Sequence, residues 1–285
     1  MNSKIRLESK FLLSKNTLRL FLISSLSASL RWGNLALNLT GLYFLLNSDF
    51  LENLLSDYNN ALVYTGVTVL YSIIFFFTSM TASAIKLGEQ FIYFTRAQGA
   101  KGQIRLLFKF LHPKKSFKAL KLYFTINFMK VFWLIYFLSP VGVCAGCTSY
   151  LYNISYLSPD VYFVLAFGTA LLLSISIVVW RVAVSRYSAA PYYICLKPEL
   201  QVKDAIKKSI RFTDGMLTEG VLLEYSFSGW ILSCILIIPL FYVVPYIKLT
   251  KSFFVTKTVF SHSRTPQNRY SVNLLNLLQS SQHIN

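Results

Sequence analysis

Apolar positions fall along this chain in long runs, at about 28–46, 61–85, 125–147 and 161–181, separated by polar or charged segments. Each run is close to the ~20 residues that an α-helix needs to cross ~30 Å of hydrocarbon. The runs lack the ten-residue alternation of a transmembrane barrel. Helices satisfy their own backbone within lipid, so the pattern predicts an all-α polytopic membrane helix bundle. A last apolar region, 216–259, contains "YSFSGWILSCILIIPLFYVVPY", Tyr225 to Tyr246, which has no charge and is interrupted by Gly229, Pro239 and Pro245. It can cross once, or form two spans of about 216–237 and 240–259 that turn near Pro239, which cannot donate a helix hydrogen bond.

The connections separate the two choices by charge. Residues 47–60 and 148–160 contain no Lys or Arg and hold Asp49, Glu52, Asp57 and Asp160, so they face outside by the positive-inside rule. Six Lys or Arg lie in the N-terminal segment through Arg31, ten between Lys86 and Lys130, and seven between Arg181 and Arg211. The remaining five are Lys248, Lys251, Lys257, Arg264 and Arg269. A single crossing exports these five, whereas two crossings keep all 28 inside. The charges therefore favour about six spans with both termini cytoplasmic, in a cell membrane. The cost is that Glu219, Glu224, Lys248 and Lys251 enter the cytoplasmic halves of the last two helices, where long side chains snorkel and opposite charges pair. Arg31 and Lys130 sit similarly, about one turn inside the first and third spans.

Composition agrees. Hydrophobic residues make up 54% of the 285, charged residues 14%, and the net charge is +17; a soluble domain carries about a quarter charged residues. The expected division is a basic amphipathic segment at 1–27, a six-span domain at 28–260 and a polar tail at 261–285. The N-terminal segment starts basic and then apolar, like a signal peptide, but without a small-residue cleavage site before Arg31 it reads as retained. Its apolar Ile5, Phe11, Leu12, Leu18 and Leu20 alternate with basic residues, as in a helix on an anionic membrane face or in a solvated basic tail.

Two further segments carry the same signature. Between Pro198 and Leu217, apolar Leu200, Val202, Ala205, Ile206 and Ile210 interleave with Lys203, Lys207, Lys208 and Arg211, which predicts an amphipathic basic helix. Around Phe110, Phe117 and Leu120 stand Lys114, Lys115, Lys118 and Lys121. Anionic lipid headgroups at the cytoplasmic face, attracting such residues by ~1 kcal/mol each, are the expected partner; the flanking spans argue against nucleic acid. A membrane-protein partner or a second copy of the chain remains open.

Residues with candidate roles cluster late in the chain. Arg181 and Glu224 are expected near the cytoplasmic ends of adjacent helices, where unpaired ions are costly, and so form a candidate ion pair. Ser226, Ser228, Gly229 and Trp230 supply the small and hydroxyl residues that let helices approach closely in lipid. Pro239 suits a turn, Pro245 a kink, and Tyr246 a hydroxyl aimed at the bundle interior. These are candidate packing or cavity residues.

Catalytic chemistry finds little support. His112, His262 and His283 lie in basic or terminal segments, no carboxylate pair sits at midmembrane, and no metal or cofactor set converges. Cys144 and Cys147, in "CAGC", have disulfide-exchange spacing without the strand-helix context of thioredoxin-like proteins. The expectation is a non-catalytic membrane protein acting by lipid contact or by scaffolding or modulating another membrane component. The alternative is a permease-like component for a small or lipidic substrate.

The segments "RYSAAPYYI" (Arg186 to Ile194), "AIKKSIRFTDG" (Ala205 to Gly215), "YSFSGW" (Tyr225 to Trp230) and "VVPY" (Val243 to Tyr246) occur in that order. With them the chain resembles a family of bacterial integral membrane proteins known as domain of unknown function 975, over about residues 181–260 and more loosely at Gly99 to Phe124. The resemblance implies a multi-pass membrane protein. The family is distantly similar to the membrane regions attached to some glycerophosphodiester phosphodiesterases, whose soluble catalytic domain has no counterpart here.

Overall fold

The computed structural model describes residues 2–14, 16–46, 60–100, 102–154, 158–213, 216–227 and 237–262. They form an all-α protein, with no strand among the described residues. Among the described residues, three helical stretches are long and apolar enough to cross a membrane: Thr65–Ala97, Pro113–Asn153 and Pro159–Leu196. Residues 47–59 of the expected acidic loop at 47–60, the segment 228–236 with Ser228, Gly229 and Trp230, and the tail beyond His262 lie outside the described residues. The chain divides into two compact units, one of residues 1–121, 195–198 and 227–285, the other of 122–194 and 199–226.

The first unit contains α1 (Asn2–Ser14), α2 (Thr17–Leu46), α3 (Asn60–Ala97), a 3-10 helix (Ile104–Phe108) and α9 (Ile237–His262). In α1, Ile5, Ser9 and Leu13 recur every four residues and are buried, and the helix packs on α9. The Lys257 ammonium reaches the Glu8 carboxylate across that contact at 2.6 Å. The N-terminal helix expected on a membrane face thus has one of its faces occupied by protein, while Leu7 and Phe11 point outward.

Helix α3 continues past the expected span end at 85 to Ala97. The charges from Lys86 onward mark not the end of the helix but the place where its neighbours change. Thr65 to Phe77 is largely exposed, whereas Ala84, Ile85, Leu87 and Phe91 to Phe94 are buried by α2, α9 and the 3-10 helix. Ile23 of α2, Ile85 and Ile92 of α3 and Leu107 of the 3-10 helix form one core cluster. Gly88 permits it: a Cβ there would stand 2.1 Å from the Leu107 carbonyl oxygen, so the two backbones meet with no side chain between them.

The end of α3 is a Schellman turn. Gly99 has φ +88°, its N–H donates to Arg96 O at 3.0 Å, and Ala100 N–H donates to Thr95 O at 3.1 Å. Glycine accepts this left-handed conformation without the Cβ penalty of other residues, and the two bonds satisfy carbonyls that the helix end leaves free.

Helix α9 begins by Ile237, which puts Pro239 in its first turn, where a missing N–H costs nothing because that N–H has no intrahelical acceptor. The turn itself falls outside the described residues. Pro245 lies inside α9 and is buried, as is Tyr246, whose ring meets Phe227 edge-on at 5.5 Å.

The second unit takes up most of α4 (Pro113–Asn153), with α5 (Pro159–Ser185), most of α6 (Ala190–Leu196), α7 (Val202–Thr213) and α8 (Leu217–Tyr225). Proline opens α4 and α5, and Asp160 stands in the first turn of α5, where a negative charge suits the helix dipole. Two tryptophan N–H groups are satisfied inside this unit: Trp180 donates to Lys130 O and Trp133 to the Tyr187 hydroxyl, each at 3.0 Å. In lipid, where water cannot serve an indole, such bonds fix which way the ring faces.

Candidate functional site

The most concentrated chemistry lies in the first unit, at a residue the sequence pattern did not single out. Glu89 of α3 has a side chain only 4% exposed. A buried carboxylate persists as an ion only when it is paired and hydrogen-bonded. Ser24 and Ser27 of α2 each donate to it, at 3.0 Å, one to each oxygen. Arg31 of α2 reaches Oε2 through Nη2 at 3.3 Å, and Lys248 of α9 donates to Oε1.

Helical periodicity gathers these groups. Ser24, Ser27 and Arg31 recur at intervals of three and four, so one face of α2 presents two hydroxyls and a guanidinium to the same side chain. Arg31 Nε also donates to Ser27 O at 3.1 Å, which holds the fork in place. One turn beyond Glu89, Tyr93 is buried, donates to Leu20 O at 3.1 Å, and lies 5.9 Å beneath the Lys248 ammonium. Lys248 donates to Ser24 Oγ at 2.7 Å as well. The cations differ from the acid in exposure: Arg31 is 30% and Lys248 32% exposed. The carboxylate forms the floor of the cluster and the two cations its outer side.

The polar face of α2 continues for two more turns. Asn34 Nδ2 donates to Thr78 O and Thr81 Oγ1 at 3.4 and 3.3 Å, and Thr78 Oγ1 donates to Asn38 Oδ1 at 3.1 Å. Tyr71 OH closes the series on Asn38 O at 2.9 Å. From Ser24 to Asn38 the stripe extends about 20 Å at 1.5 Å per residue.

The sequence-selected residues are placed as follows. Arg181 of α5 is exposed, with its guanidinium 5.7 Å from the Trp180 ring centre, and Glu224 lies near the end of α8; the helices that carry them pack on one another. Ser226 caps α8, its hydroxyl donating to Leu223 O at 2.7 Å. Lys114 and Lys115 are exposed at the start of α4, and Lys118 donates to the Pro198 carbonyl. On α7, Lys203, Lys207, Lys208 and Arg211 are all exposed, opposite a buried stripe of Val202, Ala205, Ser209 and Thr213. Ser209 and Thr213 both donate to Arg186 O, at 2.6 and 3.3 Å, so the inner face of α7 is docked on protein. Outside the long helices, Lys109 lies 4.1 Å from the Phe91 ring centre, and burial there pushes its ammonium below the ordinary lysine pKa. Cys144 and Cys147 are both free and exposed on α4, without the burial expected of a small apolar residue, and Cys195 is free and buried.

One signal could have found Glu89: it is the only acidic residue between Asp57 and Asp160, within a strongly basic stretch. No group of three or more His, Cys, Asp or Glu suited to a metal occurs among the described residues.

A family model described as "Protein of unknown function (DUF975)" matches residues 15–258. No curated protein and no solved structure matches the chain.

Proposed function

The chain belongs to the DUF975 family, and from that premise we propose that it is a multi-pass, non-catalytic protein of the cell membrane. Both termini are cytoplasmic, and it acts by binding anionic lipid headgroups there, holding or modulating another membrane component. The observation that carries this reading is α7. Its inner face is spent on the Arg186 carbonyl and on buried packing, which leaves Lys203, Lys207, Lys208 and Arg211 together on the exposed side. At ~1 kcal/mol per basic residue near an anionic surface, four such residues bind a headgroup layer firmly. Outward apolar side chains on α3, and separately on α4 and α5, suit contact with lipid.

The test compares lipids that co-purify with the wild-type chain and with a variant carrying Lys→Gln at 203, 207 and 208 and Arg211→Gln. Enrichment of anionic lipid in the wild type and its loss in the variant supports the reading; equal lipid profiles overturn it. A second reading, a permease-like component for a small or lipidic substrate, draws on the polar stripe from Ser24 to Asn38. It predicts flux into vesicles that Asn38→Leu reduces.

A further inference from the structure

We propose that Arg31 and Lys248 form a seat for a phosphate group, with Glu89 as the strut that holds the two cations side by side. Charge gives the sign of the ligand. One carboxylate faces two cations, so the cluster keeps one net positive charge after its internal pairing. A metal cation has no place there, and an anion does.

Geometry gives the shape. Each cation bonds a different oxygen of the same carboxylate, so both stand close enough for a single oxyanion to touch them. Both are about one-third exposed, whereas the acid is nearly sealed, so the approach is from the cationic side.

Donor counting gives the capacity. A guanidinium carries five N–H groups and an ammonium three. Among the described residues, Arg31 spends Nε on Ser27 O and one Nη2 hydrogen on Glu89, which leaves both Nη1 hydrogens and one on Nη2. Lys248 spends two, on Ser24 and Glu89, and keeps one. A planar fork beside a point charge is the arrangement that suits a tetrahedral phosphate, which takes two parallel bonds from arginine and a third from lysine.

Glu89 has a defined part in this. Two adjacent cations repel, and without the carboxylate between them they would turn apart. Ser24 and Ser27 hold the carboxylate from below, so its lone pairs are occupied and the outer N–H groups remain available. A lipid phosphate and a free phosphate share the chemistry that the seat reads. Where the phosphate belongs to a lipid, the inference deepens the headgroup-binding reading above and rests on it.

The experiment measures thermal unfolding of the full chain in neutral detergent with phosphatidic acid, with tail-matched diacylglycerol, or with inorganic phosphate. The expected result is an upward shift with phosphatidic acid and none with diacylglycerol. Arg31→Gln leaves a neutral Glu89–Lys248 pair and should fold, while needing about tenfold more phosphatidic acid for the same shift. Arg31→Lys retains the charge and recovers part of it. If Arg31→Gln fails to fold, Lys248→Gln, which leaves Glu89 paired with Arg31, carries the same comparison. A shift with inorganic phosphate that Arg31→Gln removes supports the seat and assigns it to the phosphate group itself. No Arg31- or Lys248-dependent shift with either phosphate overturns it. The α7 basic-face variant keeps the shift whatever it does to co-purifying lipid, so the two readings fail separately.

Discussion

The first half of α3 carries no charge, the second carries Lys86 and Glu89, and the two are used in opposite ways. From Thr65 to Phe77 the helix turns Val69, Leu70 and the run Ile73 to Phe77 outward. From Ala84 to Thr95 it buries Ile85, Leu87, Phe91, Ile92 and Phe94 against protein. In lipid, apolar side chains gain little by leaving hydrocarbon for a helix interface, so close packing and internal hydrogen bonds decide which half is covered. The buried half has both: a glycine that lets backbones touch, and an acid that binds three other side chains on α2 and one on α9. The exposed half has no such acid, its bond to α2 among the described residues is the one from Tyr71 OH to Asn38 O, and Gly66 there meets nothing within 4 Å.

The largest expected break in this contrast is at Glu89. Glu89→Ala leaves Arg31 and Lys248 facing each other without their counter-ion, and removing one member of a buried ionic set costs about 3–5 kcal/mol. Phe75→Ala, in the exposed half, should change the unfolding midpoint in detergent by less than the error between preparations. Equal effects at the two positions would mean that the halves do not differ as described.

Next comes the glycine pair. Gly88→Ala drives a methyl group into the Leu107 carbonyl, a backbone atom that cannot swing aside, and overpacking of this kind costs about 1–3 kcal/mol or more. Gly66→Ala meets open space and should stabilise the helix by about 0.5–1 kcal/mol. The sign reversal, read from paired melting curves, sharpens the comparison because the substitution is the same at both sites.

The smallest effect concerns the α1–α9 contact. Lys257→Gln removes a bridge to Glu8 in which the side chains are 32% and 40% exposed, so the loss should stay below about 1 kcal/mol and shrink further in high salt. A larger loss would place that bridge among the main supports of the first unit.

Much of the fold was legible because backbone satisfaction in lipid leaves helices as the open choice and because prolines start them. Pro113 and Pro159 open α4 and α5 ahead of the apolar runs that predicted those helices, and the interleaving between Pro198 and Leu217 predicted a basic amphipathic helix, found at Val202–Thr213 with its basic side exposed. Glu89 was illegible for a specific reason. Hydropathy treats a charge as the edge of a span, so the expected helix stopped at 85, four residues short of the acid. Its partners lie 58 and 159 residues away in the chain, and no local period connects them. Arg31 and Lys248 were recognised as cations inside span ends that snorkel or pair with opposite charges, but nothing local identified Glu89 as the partner. The fate of α1 was hidden similarly: Ile5, Phe11 and Leu12 read as part of a membrane-surface helix, whereas it is Ile5, Ser9 and Leu13 that are buried, on a helix packed against α9.

The long reach of the Glu89 cluster also sets an order during synthesis. Arg31 and the two serines precede Glu89 in the chain and Leu107 follows it closely, so most of the acid's shell is encoded near it in synthesis order. Lys248 comes 159 residues later. Without α9 the carboxylate has Arg31 as its one cation in the cluster, and Lys248 is the residue that takes the local charge from neutral to positive.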